Sequence, residues 1–226
     1  MKRSGIFIAF EGIDLCGKTT QKEKFLGMLL QDRSLIVVST KEPGSPLDNI
    51  NQQIRQILLN KRNYEMDPRC ELALFFADRA QHIKKYVLSY LEMRAIVLTD
   101  RQFASTFAYQ GCGRRLFNRF SDFKKENDKF CYGVYPDLNI IIDVPVEVAQ
   151  ARARSEVEKS RFDVEGKDFH QRVRDGFLFL AGGKKVNEDI PGDWLVFDGT
   201  KPIEELHKEI YQKFWEWLQI KRQGKE

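Results

Sequence analysis

Five short runs rich in valine and isoleucine, far apart in the chain, constrain its fold most. They are GIFIAF (5–10), SLIVVST (34–40), AIVLTD (95–100), LNIIIDV (138–144) and WLVFDG (194–199). Continuous apolar runs of this length read as strands buried on both faces, as in a parallel sheet. Helical patterns separate them, over 18–31, 46–60, 69–91, 146–154, 168–185 and 202–221. Strands alternating with helices predict a doubly wound α/β fold with a five-stranded parallel sheet flanked by helices. Ligands of such sheets bind outside the carboxyl ends of the strands. Attention therefore falls on 11–19, 41–44, 100–110, 144–161 and 198–201.

The 226 residues suit a single domain over 1–226, with 42% hydrophobic and 31% charged side chains as in globular chains. No apolar run approaches the ~20 residues that span a bilayer. GIFIAF is too short for a secretory leader, and Glu11 interrupts it. The expectation is a cytoplasmic protein with no membrane partner. Cys16, Cys70, Cys112 and Cys131 show no CxxC spacing, and only three histidines accompany them, which argues against a zinc site or disulfides. A net charge of +4 does not by itself imply nucleic acid, and no nucleic-acid partner is expected. The basic clusters GRRLFNR, ARARSEVEKSR and RQGKE are either solvated surface or part of a site, and their context must decide.

GIDLCGKT fits G-x-x-x-x-G-K-[ST] at Gly12, Gly17, Lys18 and Thr19, directly after one predicted strand and at the head of a helix. Glycines let backbone wrap an oxyanion, and the amides and helix N-terminus then point at it. The ATP phosphates are expected against Gly12, Ile13, Asp14, Leu15, Cys16, Gly17, Lys18, Thr19 and Thr20. Lys18 would bridge the β- and γ-phosphates, and the Thr19 hydroxyl would ligate Mg²⁺. Cys16, at a helix N-terminus, is placed where a thiolate is favoured. The Asn-Lys-x-Asp guanine motif of GTPases is absent, and a motor ATPase would need more chain. That leaves a small kinase holding a second substrate.

The segments FEGIDLCGKTT, TKEPGSPL, ELALFFADRAQH, TDRQFASTFAYQG, YPDLNIIIDV and SRFDVEGKDFHQRVRDGF occur in an order that resembles the thymidylate kinase family, over about residues 5–180. The family phosphorylates dTMP with ATP and Mg²⁺, on a three-layer P-loop fold with a short mobile lid, and is typically dimeric. The resemblance implies that Phe75 stacks on thymine and Arg79, four residues on and so on the same helix face, bonds its exocyclic oxygen. Phe76 is the alternative stacker. It further implies that Arg101 and Arg55 grip the acceptor phosphate and that Asp100 helps hold Mg²⁺. Tyr109 would lie under the sugar and leave no room for a 2′-hydroxyl. Thr106 and Gln110 would contact the base, Asp14 the 3′-hydroxyl, and Glu42 and Pro43 would belong to the loop closing that side. Helix 69–91 is a candidate homodimer interface.

Phosphoryl transfer spreads negative charge over the transferring group, so a cation must meet it. Some family members carry an arginine inside the cradle, but positions 13–16 here are Ile, Asp, Leu and Cys. The other known arrangement supplies it from the lid. The segment 151–167 has that composition, with Arg161 as first choice for the catalytic arginine and Arg154 as second. No general base is required, because a phosphate monoester is ionised near neutral pH, its second pKa being about 6. Lys41, Ser45 and Pro46 after Gly44, Gln102 and Ser160 depart from the family pattern. LFNRFSDFKKENDKFCYG (116–133) has no assigned role. A kinase for another pyrimidine monophosphate and a non-catalytic nucleotide-binding protein are the rival readings.

Overall fold

The computed structural model describes residues 4–153, 161–162 and 165–223. Its strands are β1 (Ile6–Glu11), β2 (Val37–Lys41), β3 (Ile96–Asp100), β4 (Leu138–Asp143) and β5 (Asp193–Asp198). All neighbours pair in parallel, in the order β2-β3-β1-β4-β5. β1 is central, so both of its faces are covered: Phe7, Ile8, Ala9 and Phe10 are fully buried. Ile8 and Phe10 join a larger core with Phe25, Phe103, Phe177 and Phe214. Phe7 and Val97 join a smaller one with Ile83, Val87 and Leu91. The three-layer α/β arrangement expected from the apolar runs is therefore present, with strand ends shifted by a few residues.

The helices are α1 (Lys18–Leu29), α2 (Asn49–Leu59), α3 (Pro68–His82), α4 (Leu88–Glu92), α5 (Phe103–Thr106), α6 (Phe120–Cys131), α7 (Val146–Ala153), α8 (Lys167–Ala181) and α9 (Ile203–Gln223). α3 runs through a π-helical turn, Ile83–Val87, into α4, as the single pattern 69–91 implied. α6 was not anticipated. Its Phe120, Phe123, Asn127 and Cys131 recur at helical spacing and are buried, but the charges between them obscure the period. Among the described residues, no helix is long and apolar enough to cross a membrane.

The helix starts differ in a way that matters. Asp48 caps α2, its Oδ1 accepting from the Ile50 amide at 2.7 Å and the Asn51 amide at 3.2 Å. Asp67 caps α3 in the same way, with Pro68 at the first position. α1 begins after Gly17 with no side-chain cap. Its first amides are left for something else.

Candidate active site

Two glycines shape the loop between β1 and α1. Gly12 has φ 139, and a Cβ there would lie 2.5 Å from the Ile142 carbonyl oxygen on β4. Gly17 has φ 97, and a Cβ on it would meet nothing within 4 Å, so the space above the head of α1 is open. Lys18 arches back over the loop, its Nζ donating to the Ile13 carbonyl at 3.3 Å and lying 3.9 Å from Asp14 Oδ1. These features form a concave, donor-rich anion seat.

Thr19 Oγ1 donates to Asp100 Oδ2 at 2.5 Å, across from the end of β3. Burial opposes ionisation of Asp100, but Lys18 and Arg101 outweigh it and hold the carboxyl below its ordinary range. A hydroxyl and a carboxylate side by side next to a phosphate seat are hard oxygen donors of the kind Mg²⁺ takes. Among the described residues there is no group of three or more His, Cys, Asp or Glu placed to hold a metal ion.

A cavity of about 1010 Å³ runs from this seat across the carboxyl ends of the strands. Asp14 to Thr20 line one part, and Pro43, Arg55, Phe75, Arg101, Tyr109 and Gln110 line another. Asp14 and Arg101 join the two. Arg101 Nη2 donates to Asp14 Oδ1 at 2.5 Å, and Nη1 donates to the Gly12 carbonyl at 2.9 Å and to Ser105 Oγ at 2.8 Å. Tyr109 donates to Asp14 Oδ2 at 2.7 Å, with the Arg101 guanidinium 5.0 Å from its ring centre. The protein packed around Asp14 opposes ionisation, yet the charges of Arg101 and Lys18 hold the carboxyl well below its usual range. Burial pushes the Tyr109 hydroxyl up, so it stays neutral and donates. Arg101 itself has φ 69, a conformation that costs of order 1 kcal/mol in a non-glycine residue. Its N–H donates to the Phe10 carbonyl at 2.9 Å, the Thr99 hydroxyl donates to its own carbonyl at 2.9 Å, and the two bonds hold it there.

Arg55 on α2 reaches the same cavity and donates to the Pro43 carbonyl at 2.8 Å. Its charge and that of Arg101 oppose one another, an arrangement that a bound phosphate dianion relieves. Of the two candidate stackers, Phe75 lines the cavity, whereas Phe76 is in the core with its ring stacked 4.9 Å from Phe130. Arg79 is not a surface charge. It is 1% exposed and donates to Glu42, Asn127 and Thr106; none of these four residues is among those that line the cavity. Glu42 also pairs with His82 at 2.8 Å. Burial opposes its charge, but Arg79 and His82 keep its carboxyl below the ordinary range.

The cradle is less open to thiol chemistry than its helix N-terminus suggested. Cys16 is 1% exposed, and burial pushes its thiol up rather than down. The structure also does not bring Arg161 to the cradle. Its Nη1 pairs with Glu71 at 2.6 Å, its Nε donates to the Leu58 carbonyl at 2.5 Å, and its guanidinium lies 4.5 Å from the Phe162 ring centre. Arg154 and Ser160 lie outside the described residues. Arg152 does reach the cradle, donating to the Leu15 carbonyl at 3.1 Å and the Gly199 carbonyl at 2.8 Å.

Several neighbours carried no earlier assignment. Ser105 joins Arg101 to the buried Glu11, at 2.8 and 2.5 Å. Arg101 sits before α5 with φ 69 and Ser105 within α5, so no helical spacing signalled the pair. Gly199 and Lys201 line the cavity just after β5, where the rule about strand ends pointed. Glu71 is fully buried and accepts from Gln110 at 2.7 Å as well as from Arg114 and Arg161.

An uncapped helix behind a glycine loop on the central strand, facing a second pocket across the strand ends, defines a P-loop nucleotide-binding α/β protein. The family model described as thymidylate kinase matches residues 10–210, so the chain belongs to the thymidylate kinase family. It is 38% identical over 213 residues to a protein named thymidylate kinase from Fervidobacterium nodosum, covering 94% of this chain and 100% of that one. A protein of the same name from Carboxydothermus hydrogenoformans is 37% identical, covering 91% and 95% of the two chains. One from Kosmotoga olearia is 38% identical, covering 92% and 95%.

Proposed function

We propose that the protein transfers the γ-phosphate of ATP to dTMP, giving ADP and dTDP. The observation that carries this reading is the chain of contacts Lys18–Asp14–Arg101–Tyr109, which connects the anion seat to the Phe75 pocket within one cavity. ATP phosphates occupy Gly12 to Thr20, with Lys18 on the β- and γ-phosphates. The dTMP phosphate meets Arg101 and Arg55, its base stacks on Phe75 and reaches Gln110, Thr106 and Arg79, and Tyr109 lies under the sugar. Asp14 takes the 3′-hydroxyl, while Glu42 and Pro43 shape the loop beside it. The dTMP phosphate is ionised near neutral pH, so the residues align the two substrates and neutralise charge without removing a proton. Thr19 and Asp100 are the residues that would hold Mg²⁺, which supplies positive charge to the phosphates when bound. Arg161 and Arg154 stay assigned to the lid, the segment 151–167. For Arg161 to meet the transferring group it must leave Glu71, while Arg101 already stands between the two substrates.

The protein is read as one domain over 1–226, working as a cytoplasmic homodimer without nucleic-acid or membrane partners. The test is ADP release with Mg²⁺-ATP and each of dTMP, dUMP, UMP and thymidine. Turnover is expected to be best with dTMP, present with dUMP, and poor with UMP and thymidine. Lys18→Ala is expected to lower kcat about a thousandfold, a loss of ~4 kcal/mol, with dTMP binding retained. Preference for UMP would assign a different pyrimidine kinase, and absence of turnover with every acceptor would leave a nucleotide-binding protein without chemistry.

A further inference from the structure

We infer that Asn127, on α6, is a positioning residue for Arg79 and thereby helps determine which pyrimidine the acceptor pocket takes. The inference rests on the reading of that pocket as a thymine site. The Arg79 guanidinium is held from three directions: Nε donates to Glu42 Oε2 at 3.1 Å, Nη2 to Thr106 Oγ1 at 2.7 Å, and Nη1 to Asn127 Oδ1 at 2.7 Å. Glu42 is anchored by His82, and Thr106 sits on α5. Asn127 reaches in from α6 and is fully buried. Neither Asn127 nor Arg79 is among the residues that line the cavity, so any effect of Asn127 on a ligand passes through the base contact proposed above for Arg79.

The Asn127 amide has to face one way. Its nitrogen turned toward Arg79 would set donor against donor. Asn127 Nδ2 donates to the Tyr135 hydroxyl at 3.0 Å, and that hydroxyl donates to Asp128 Oδ1 at 2.5 Å. Asp128 also pairs with Lys124 at 2.7 Å, which favours the ionised carboxylate, an acceptor only. The direction of donation is thus set from the outside inward, and Asn127 Oδ1 is the atom left for Arg79. Three of the five guanidinium N–H groups are bonded in this frame, leaving one on each terminal nitrogen. A guanidinium can only donate. Locked in place, it suits a pyrimidine with a 4-oxo group and opposes one with a 4-amino group.

The test compares dTMP with 5-methyl-dCMP, which differ at C4 and in the hydrogen on the adjoining N3, as substrate or competitive inhibitor of the full chain at saturating Mg²⁺-ATP. Asn127→Leu is expected to raise KM for dTMP about tenfold while leaving kcat within about twofold, and to lower the dTMP preference about tenfold. Asn127→Asp, which keeps an acceptor for Arg79, is expected to stay within about threefold of the parent protein. Tyr135→Phe should shift the preference in the same direction, and it decides the matter if Asn127→Leu does not fold. In an Arg79→Gln background, Asn127→Leu should have no further effect on KM. An unchanged preference in the Asn127 or Tyr135 variant, or additive losses with Arg79→Gln, overturns the role of Asn127. Arg79→Gln alone separates the two levels. If it leaves the preference intact, the base-reading assignment fails and this inference falls with it. If it abolishes the preference while Asn127→Leu does not, only the role of Asn127 is lost.

Discussion

Asp14 and Glu11 are three residues apart, yet their carboxyls are driven in opposite directions. Asp14 meets Arg101, Lys18 and the Tyr109 hydroxyl, and is held ionised. Glu11 is fully buried at the end of β1, and burial pushes its carboxyl up from 4.5 to about 7 despite its bonds to Ser105 and Gln102. The sign of the consequence follows from linkage. Between pH 4.5 and about 7 the folded protein keeps a proton on Glu11 that the unfolded chain has lost. The contribution of Glu11 to stability therefore falls as pH rises through that window and is flat outside it. Glu11→Gln removes this dependence, while its amide oxygen can still accept from the Gln102 amide and the Ser105 hydroxyl can turn to accept from its nitrogen. Relative to the parent protein, Glu11→Gln is expected to gain up to roughly 3 kcal/mol between pH 5 and pH 8. Urea unfolding of both proteins at the two pH values measures this. A constant difference between them would show that Glu11 does not titrate in the fold.

α2 brings Arg55 to the cavity, so what fixes α2 also fixes part of its lining. Asp48 is the fixing residue. Besides capping α2, it accepts from Gln81 at 3.0 Å on α3 and from Lys85 at 2.7 Å on the π-helical turn. Asp48→Ala removes the cap and the bonds from Gln81, Lys85 and the Tyr86 hydroxyl, the last at 3.3 Å, and is expected to destabilise by about 2 kcal/mol at neutral pH. Asp48→Asn keeps the capping oxygen and should lose less than half as much. Because Arg55 rides on the same helix, the alanine variant should also raise KM for dTMP more than KM for ATP. Denaturation midpoints and two-substrate kinetics check both parts. Equal changes in the two KM values would mean that α2 serves general stability only. The uncapped α1 is the contrasting case: it leaves its first amides unpaired by side chains, which suits an anion that arrives and leaves.

On the whole molecule, α2 leaves an apolar stripe outward: Ile50 and Ile57 lie two turns apart and are 52% and 46% exposed. The homodimer proposed above would cover these residues, on the helix that packs against α3. The parent protein is expected to sediment as a dimer and Ile57→Asp as a monomer. A parent protein that is monomeric at micromolar concentration would remove that reading. Much of the fold is legible in the sequence. The five strands, the cradle from Gly12 to Thr20 and the helix carrying Phe75 and Arg79 rest on spacing within about 25 residues, where hydrophobic period and backbone requirements act locally. Local pattern could not say which of two adjacent phenylalanines faces the cavity. Tertiary packing placed Phe75 there and sent Phe76 to Phe130. It also buried Arg79 among partners drawn from residues 42, 106 and 127, put Arg161 on Glu71, and made Cys16 a core residue. Each of these depends on surfaces that meet from distant parts of the chain, so the charge and orientation of those side chains are set by contacts with no short-range signature. The sequence alone determined the sheet, the phosphate cradle and the chemical types around it. The strand order and the partner that each charged side chain takes were decided only when the layers packed.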